Sequence, residues 1–433
     1  MNVIYDISVL GVGHLFPKNR TGIFRVVENI AYGLAAAKEC NLTFCASSPQ
    51  YQLHVLGWCL DYLDSHPEVG KAPLPHLKYR RILNNKLLDL NTKINEVSKL
   101  QSLLLKSIRK PLYLTNKAIE SYFSLYPIDS KSLSQANIFH SCLYEIPAQT
   151  KKAKNIKNFL TVYDLTPILY PQFFEISENE EHFVKKAIDG LEKDNWAICI
   201  SHATKNDLCN YLKIDPSRVF VTHLAADKNI FYNCSEQDKI SLTCQKYGIP
   251  DAPYIVSLST LEPRKNIDQV IRCFAQLVQQ QNIKDLYLVL VGSKGWKYDK
   301  IFEEISNFSF LKDRIIVTGY VADEDLAALY SGALAFVYPS FYEGFGLPPL
   351  EAMQCGVPVI TSNTSSLPEV VGDAGIMVSP TDADTLCHNI LEIYNNPSLR
   401  DSMSLKSLER AKQFSWEKCT QETIDAYKTA LNS

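Results

Sequence analysis

The stretch Tyr338-Pro339-Ser340-Phe341-Tyr342-Glu343-Gly344-Phe345-Gly346-Leu347-Pro348-Pro349-Leu350-Glu351-Ala352-Met353 decides the fold of this chain. It follows the apolar run Leu334–Tyr338 and leads into a helix-prone segment, so Gly344 to Pro348 reads as a turn at the C-terminal end of a strand. Such a turn leaves backbone N–H groups free at a helix N-terminus, which is where anions bind in open α/β sheets. Glu343 and Glu351 bracket the turn with seven residues between them. A carboxylate is acceptor-only and grips sugar or ribose hydroxyls.

The same alternation extends outward from this stretch. Val3–Val9, Phe159–Tyr163, Ala197–Ser201, Val219–His223, Tyr254–Ser259, Leu286–Val291, Ile315–Thr318, Val357–Thr361 and Gly375–Val378 are short apolar runs separated by helix-like stretches. Many are apolar almost throughout, as strands covered on both faces are. The class this predicts is α/β with parallel sheets. At the start, a strand, a glycine loop with Gly11 and Gly13, and a helix over Ile23–Ala37 are expected. Between Asp227 and Asp251 polar residues cluster before Pro250 and Pro253, which marks the break between two halves.

A second stretch, Ser259-Thr260-Leu261-Glu262-Pro263-Arg264-Lys265-Asn266, also directly follows a predicted strand. Two adjacent cations at a strand-to-helix turn suit a diphosphate, Arg offering a fork to its oxygens and Lys a mobile point charge. Together with hydroxyl recognition at Glu343 and Glu351, this points to a nucleoside-diphosphate sugar.

Composition bounds the rest. The chain has 433 residues, 46% apolar and 21% charged, with a net charge of −3, so it is a globular protein of two or three domains and not a general nucleic-acid binder. Its 12 Cys form no C-x-x-C pair, which fits core thiols in a reducing cytosol. No charged segment precedes the first apolar residues, and no run of about 18 apolar residues occurs, so neither a signal peptide nor a membrane span is expected. Between His76 and Ala118, ten Lys or Arg face only Asp89 and Glu96, a local +8 that leaves −11 for the remainder. Leu83, Leu87, Leu90, Ile94, Val97, Leu104 and Ile108 repeat at helical spacing there. A basic amphipathic helix of this kind can lie on anionic lipid, pair with another helix, or pack on its own domain.

The residues at 261–266 and the Glu-x7-Glu pair at 343 and 351 resemble the retaining GT-B glycosyltransferases of family 4. Supporting stretches are Leu290-Val291-Gly292, Thr318-Gly319-Tyr320-Val321, Gly356-Val357-Pro358-Val359-Ile360 and Leu367-Pro368-Glu369. The resemblance is strong over 254–416, moderate over 3–36 and 159–231, and absent over about 40–138. It implies two Rossmann-like domains facing a cleft: an acceptor-side domain over 1–240 with the basic insertion at 76–118, and a nucleotide-sugar domain over 241–416. A C-terminal helix over 417–433, N-capped by Ser415, would cross back to the first domain.

By this resemblance Arg264 and Lys265 hold the donor diphosphate, Glu343 contacts donor-sugar hydroxyls, and Glu351 binds the ribose. Gly344, Phe345, Gly346 and Leu347 form the donor turn, with backbone N–H groups offered by Gly346 and Leu347. Thr260 and Gly22 are also placed at the donor, and Tyr320 near the nucleobase. Gly13, Arg25, Tyr163 and His202 are candidates for the acceptor side. Tyr163 stands where many members have His; the neighbouring Asp164 can orient a hydroxyl or cap a helix, and His202 can face the cleft or be structural. No cofactor and no metal are expected, Asp323-Glu324-Asp325 being read as a helix start.

The implied activity is retaining transfer of a hexose from a nucleoside-diphosphate sugar to a saccharide or polyprenyl-linked saccharide, in cell-surface polysaccharide biosynthesis. Its expected setting is cytoplasmic, with possible attachment to an anionic membrane face. A nucleotide-sugar epimerase, a phosphorylase, or a non-catalytic scaffold with a degenerate cleft are the alternatives on the same fold.

Overall fold

The structure is a computed structural model that describes residues 1–16, 22–48, 52–69, 90, 93, 101, 105–111, 114, 128–174, 182–293, 295 and 299–433. The first half carries strands β1 (Asn2–Asp6), β2 (Asn41–Cys45), β3 (Ile138–Ser141), β4 (Lys157–Val162), β5 (Trp196–Cys199) and β6 (Val219–Val221). They form one parallel sheet in the order β2-β1-β3-β4-β5-β6. The second half carries β7 (Tyr254–Leu258), β8 (Tyr287–Val291), β9 (Ile315–Gly319), β10 (Ala335–Tyr338), β11 (Val359–Ser362) and β12 (Ile376–Val378), parallel in the order β12-β11-β10-β7-β8-β9. Central strands such as β3, β5 and β10 are buried at every position, because helices cover both faces.

In each sheet the order reverses once. The chain winds outward in opposite directions from the β1/β3 boundary and from the β7/β10 boundary, and ligands of open α/β sheets bind beyond the carboxyl ends of strands at such points. β7 and β10 are hydrogen-bonded neighbours, with Ala335 opposite Ile255. The two stretches singled out in the sequence follow these two strands, so the topology alone brings 259–266 beside 339–346.

The last helix, Trp416–Leu431, starts at Ser415, whose Oγ accepts from Lys418 N at 3.1 Å, and packs on the helix Gly22–Ala36 of the first half. Gly33 leaves room there for Thr420. Tyr427 hydroxyl and His140 Nδ1 lie 2.5 Å apart, while His140 Nε2 meets Thr161 Oγ1 at 2.7 Å. Burial lowers the His140 pKa to about 3, so the ring is neutral where it seats the helix.

One expectation meets a different structure. Gly11 and Gly13 are not in a loop: both lie inside the helix Ser8–Leu15. Gly11 serves close packing on the helix Gln52–Ser65, since a Cβ would come within 2.6 Å of Cys59 Sγ and 2.9 Å of Val55 O, and Gly13 lies against the Phe24 ring. Strands β2 and β3 went unread because Thr43, His140 and Ser141 interrupt their apolar pattern. The basic segment 76–118 falls outside the described residues except at scattered positions; of these, 105–111 are helical, with Ile108 exposed. Asp323 opens the helix Asp323–Ser331, whose first turn holds the three acids as the dipole favours.

Candidate active site

The centre of the second half's switch point is a buried carboxylate. Glu343 Oε1 lies 2.7 Å from Lys265 Nζ, 2.6 Å from Ser340 Oγ and 2.9 Å from the Tyr338 hydroxyl, while Oε2 lies 3.1 Å from Arg264 Nη1. The Lys265 ammonium also donates to Tyr338 at 2.7 Å. Arg264 is fixed on its other side by Glu262 Oε1 at 2.6 Å and the Tyr342 carbonyl at 2.6 Å. Burial alone would push the Glu343 pKa up, but Arg264 and Lys265 outweigh it and hold the value at about 2. Conversely, burial, with Arg264 adding to it, lowers the Lys265 pKa against the pull of Glu343. The carboxylate stays ionised at any working pH, and two cations are already held where a second anion can be met.

The turn is shaped by two glycines for different reasons. Gly346 has φ 113°, a left-handed conformation that suits glycine, and it caps the helix Leu347–Gln354. Gly344 has no room for a side chain, because a Cβ would run into the Tyr163 carbonyl and lie 2.9 Å from Asp164 Cβ in the facing half. Thr204 Oγ1 lies within hydrogen-bond reach of both the Gly344 carbonyl, at 3.2 Å, and the Tyr163 carbonyl, at 3.3 Å, tying the halves together. Ser365 and Ser366 brace the turn from behind: Ser365 Oγ accepts from Glu343 N, and Ser366 Oγ meets the Glu343 and Phe345 carbonyls.

Glu351, one helical turn further on, faces the other half. Arg25 Nη1 lies 3.3 Å from its Oε1 and Arg25 Nη2 lies 2.8 Å from Asp323 Oδ1. Burial raises the Glu351 pKa, Arg25 opposes this and Asp323 adds to it, leaving about 7. Arg25, Asp323, Glu351 and Leu347 line a cavity of about 120 Å³ with Ala226 and Phe231. A larger cavity of about 730 Å³ lies at the N-terminal end of β7, beside the helix Gln237–Lys246, and none of the candidate catalytic, donor or acceptor residues lines it. Only the small one joins the two halves at the motif.

The remaining predicted residues divide. Gly22 opens its helix against the turn, an added Cβ standing 3.3 Å from Leu347 Cδ1. Thr260 is exposed, and Tyr320, 75% exposed after β9, is free to cover a flat ring. Asp164 Oδ1 accepts from Thr166 N at 2.8 Å, one residue before the N-cap Leu165 of the short helix Thr166–Leu169, and its charge also supports Arg264. Phe345 is buried against His223 and Phe414, which leaves only its backbone for a ligand. The Tyr163 hydroxyl is buried, with Cys142 and Asp6 as electrostatic neighbours, so it points into the first half's interior instead of the cleft. Gly13 is likewise covered by Phe24. His202 is exposed and stands beside His223 and Glu369.

Tyr338, Ser340 and Glu262 were not singled out from sequence, although all three adjoin the quoted motifs. Their hydroxyls and carboxylate become partners only once β7 and β10 pair.

Residues 242–410 match the family described as "Glycosyl transferases group 1". Over 291 residues the chain is 35% identical to O-antigen chain mannosyltransferase B of Escherichia coli, covering 67% of this chain and 74% of that protein. It is 28% identical over 296 residues to serotype-specific mannosyltransferase WbdA of Escherichia coli, covering 68% of this chain but only 36% of that longer protein. A glycosyltransferase from Rickettsia africae ESF-5 has a similar fold, with a TM-score of 0.66 over 100% of this chain and 99% of that one at 17% identity.

Proposed function

The chain belongs to the group 1 glycosyl transferases, and from that premise we propose that it transfers a hexose, mannose first among the candidates, from a nucleoside-diphosphate sugar with retention of configuration, as a family 4 enzyme. The acceptor is a saccharide or a polyprenyl-linked saccharide of a cell-surface polysaccharide. The observation that carries this reading is the pair of cations held on Glu343 at the β7/β10 switch point. A donor diphosphate entering there meets Arg264 and Lys265, already positioned and desolvated, so charge developing on the leaving group is stabilised without reorganisation. Glu343, kept ionised, accepts from donor-sugar hydroxyls, and Glu351 accepts from the ribose in the cavity that Arg25 closes.

The chemistry proceeds on the front face of the sugar. The acceptor hydroxyl attacks the anomeric carbon, the bond to the diphosphate breaks, and the leaving phosphate oxygen takes the acceptor's proton. Tyr163, directed inward, is not needed as a base, and the reading requires no metal. Closure of the two halves excludes water and favours transfer over hydrolysis.

The test is transfer from a panel of GDP, UDP and dTDP hexoses to oligosaccharide and polyprenyl-linked acceptors, with the product anomer read by NMR, in the presence and absence of EDTA. One donor should support turnover, with the same anomeric configuration in product and donor and with turnover retained in EDTA. Inversion, or loss of turnover on chelation, rejects the corresponding part of the proposal. Among the described residues no helix is long and apolar enough to cross a membrane. Attachment at the cytoplasmic face of the membrane through 76–118 is the proposed alternative, and sedimentation with anionic vesicles before and after charge reversal of that segment tests it.

A further inference from the structure

We propose that His202, His223 and Glu369 form a metal site of the zinc type that clasps the two halves at the rear of the donor turn. One ligand atom from each of the three side chains lies within 4.8 Å of the other two. They come from separate places: His202 opens the helix His202–Leu212 after β5, His223 follows β6, and Glu369 sits in the helix Leu367–Val371 of the second half. Two imidazoles and a carboxylate are a zinc ligand set, and bonds of about 2.0–2.2 Å at tetrahedral angles place ligand atoms roughly 3.4 Å apart. His223 Nε2 and Glu369 Oε2 are 3.2 Å apart already.

Two of the three ligands are preset by their surroundings. The Glu369 carboxylate is oriented by backbone N–H groups of His202, at 2.8 Å, and Ala203, at 3.0 Å, one on each oxygen. Oε1 keeps a further lone pair for a cation, while the second of Oε2 is engaged by His223 Nε2 in a hydrogen bond that a bound ion would replace. The backbone of Glu369 is in turn held by Arg410, whose guanidinium is occupied by the carbonyls of Glu369 and Val370 and by Gln413. The His223 ring packs against the pair Phe345 and Phe414, with centroids 6.0 and 5.9 Å away. Outer contacts of this kind fix ring orientation in metal sites. The His202 ring, 5.5 Å from that of His223, is exposed and turns to complete the set, leaving a fourth position for water.

Two ligands belong to the first half and one to the second, so a bound ion favours the closed cleft over any open one. It does so beside Phe345, in the donor turn itself. This clasp is separate from the diphosphate site and independent of the donor reading.

The experiment uses the full chain after dialysis against a chelator. Calorimetry with ZnCl2 is expected to show one equivalent bound, and Co²⁺ loading to give the visible bands of a tetrahedral site. His202→Ala, an exposed change at a helix start, should weaken zinc by at least about tenfold and erase the bands, as should His223→Gln. Zinc should raise the melting temperature of the wild-type chain and not that of His202→Ala. No zinc binding by the wild-type chain overturns the proposal. So does one-equivalent binding of undiminished affinity in the His202→Ala/His223→Gln double variant, which would assign the ion to cysteines elsewhere.

Discussion

Glu343 and Glu351 stand on one turn and one helix, yet their environments are opposites. Glu343 is surrounded by groups of its own half: Lys265, Arg264, Ser340 and Tyr338 all come from the ends of β7 and β10. Its pKa is held at about 2. Glu351 has its cation from the other half, Arg25, more than 300 residues away in the chain, and its pKa rises to about 7. The first carboxylate is built into a rigid sheet edge and keeps its charge whether the cleft is open or closed. The second has its charge set by whether the halves meet. One motif therefore combines a preorganised end for the diphosphate with an end that responds to closure.

The most severe way to break this contrast is Lys265→Met. It removes one of two cations from the developing phosphate charge and leaves Glu343 on Arg264 alone. Loss of one preorganised donor to a transition-state charge costs about 10²–10³ in kcat. Steady-state kinetics with saturating donor should show a fall of that size, and a change of only a few-fold would deny the Glu343 end its preorganised role. Milder is Ser340→Ala, which deletes a hydrogen bond to a buried, charged group and should cost about 1.5–3 kcal/mol of stability in denaturant unfolding. The matching change at the other end, Asp323→Asn, loses a partly exposed ion pair and should cost less than about 1 kcal/mol. Equal losses at the two ends would erase the distinction.

The contrast also marks what the sequence could reveal. Glu343, Glu351, Arg264 and Lys265 were legible because each sits in a short stretch whose strand, turn and helix signals are local. The parallel class followed from runs such as Phe336-Val337-Tyr338. What was not legible depends on distant chain segments meeting. Nothing near Arg25 names Asp323 or Glu351 as its partners, and His202, His223 and Glu369 converge from three elements with no ligand spacing between them. Gly11 and Gly13 were misread because glycine signals a loop by its backbone freedom, whereas here it serves helix packing against Cys59, Val55 and Phe24. Tyr163 was placed by analogy with a cleft-facing His, but its longer side chain finds room in the interior near Cys142.

The finest test of the comparison is a pH profile, because only one end titrates near neutrality. Below about 7 Glu351 is neutral, and above it the group is ionised and accepts ribose hydroxyls best. Donor KM should therefore fall a few-fold as pH rises through about 7 in the wild-type chain, and Glu351→Gln should flatten the profile. Arg25→Ala removes the charge that opposes burial, so its midpoint should move upward. Stability runs the other way. The folded pKa lies above the ordinary 4.5, so the native state holds the proton more tightly and this group's contribution to stability is lost between 4.5 and about 7. Glu343 adds no pH dependence in that window, because it is ionised there in both the folded and the unfolded chain; its stabilising contribution is fully present and is lost only as pH falls from 4.5 toward about 2. A profile unchanged in Glu351→Gln would show that neutrality is sensed elsewhere and that the two carboxylates are not divided as their environments require.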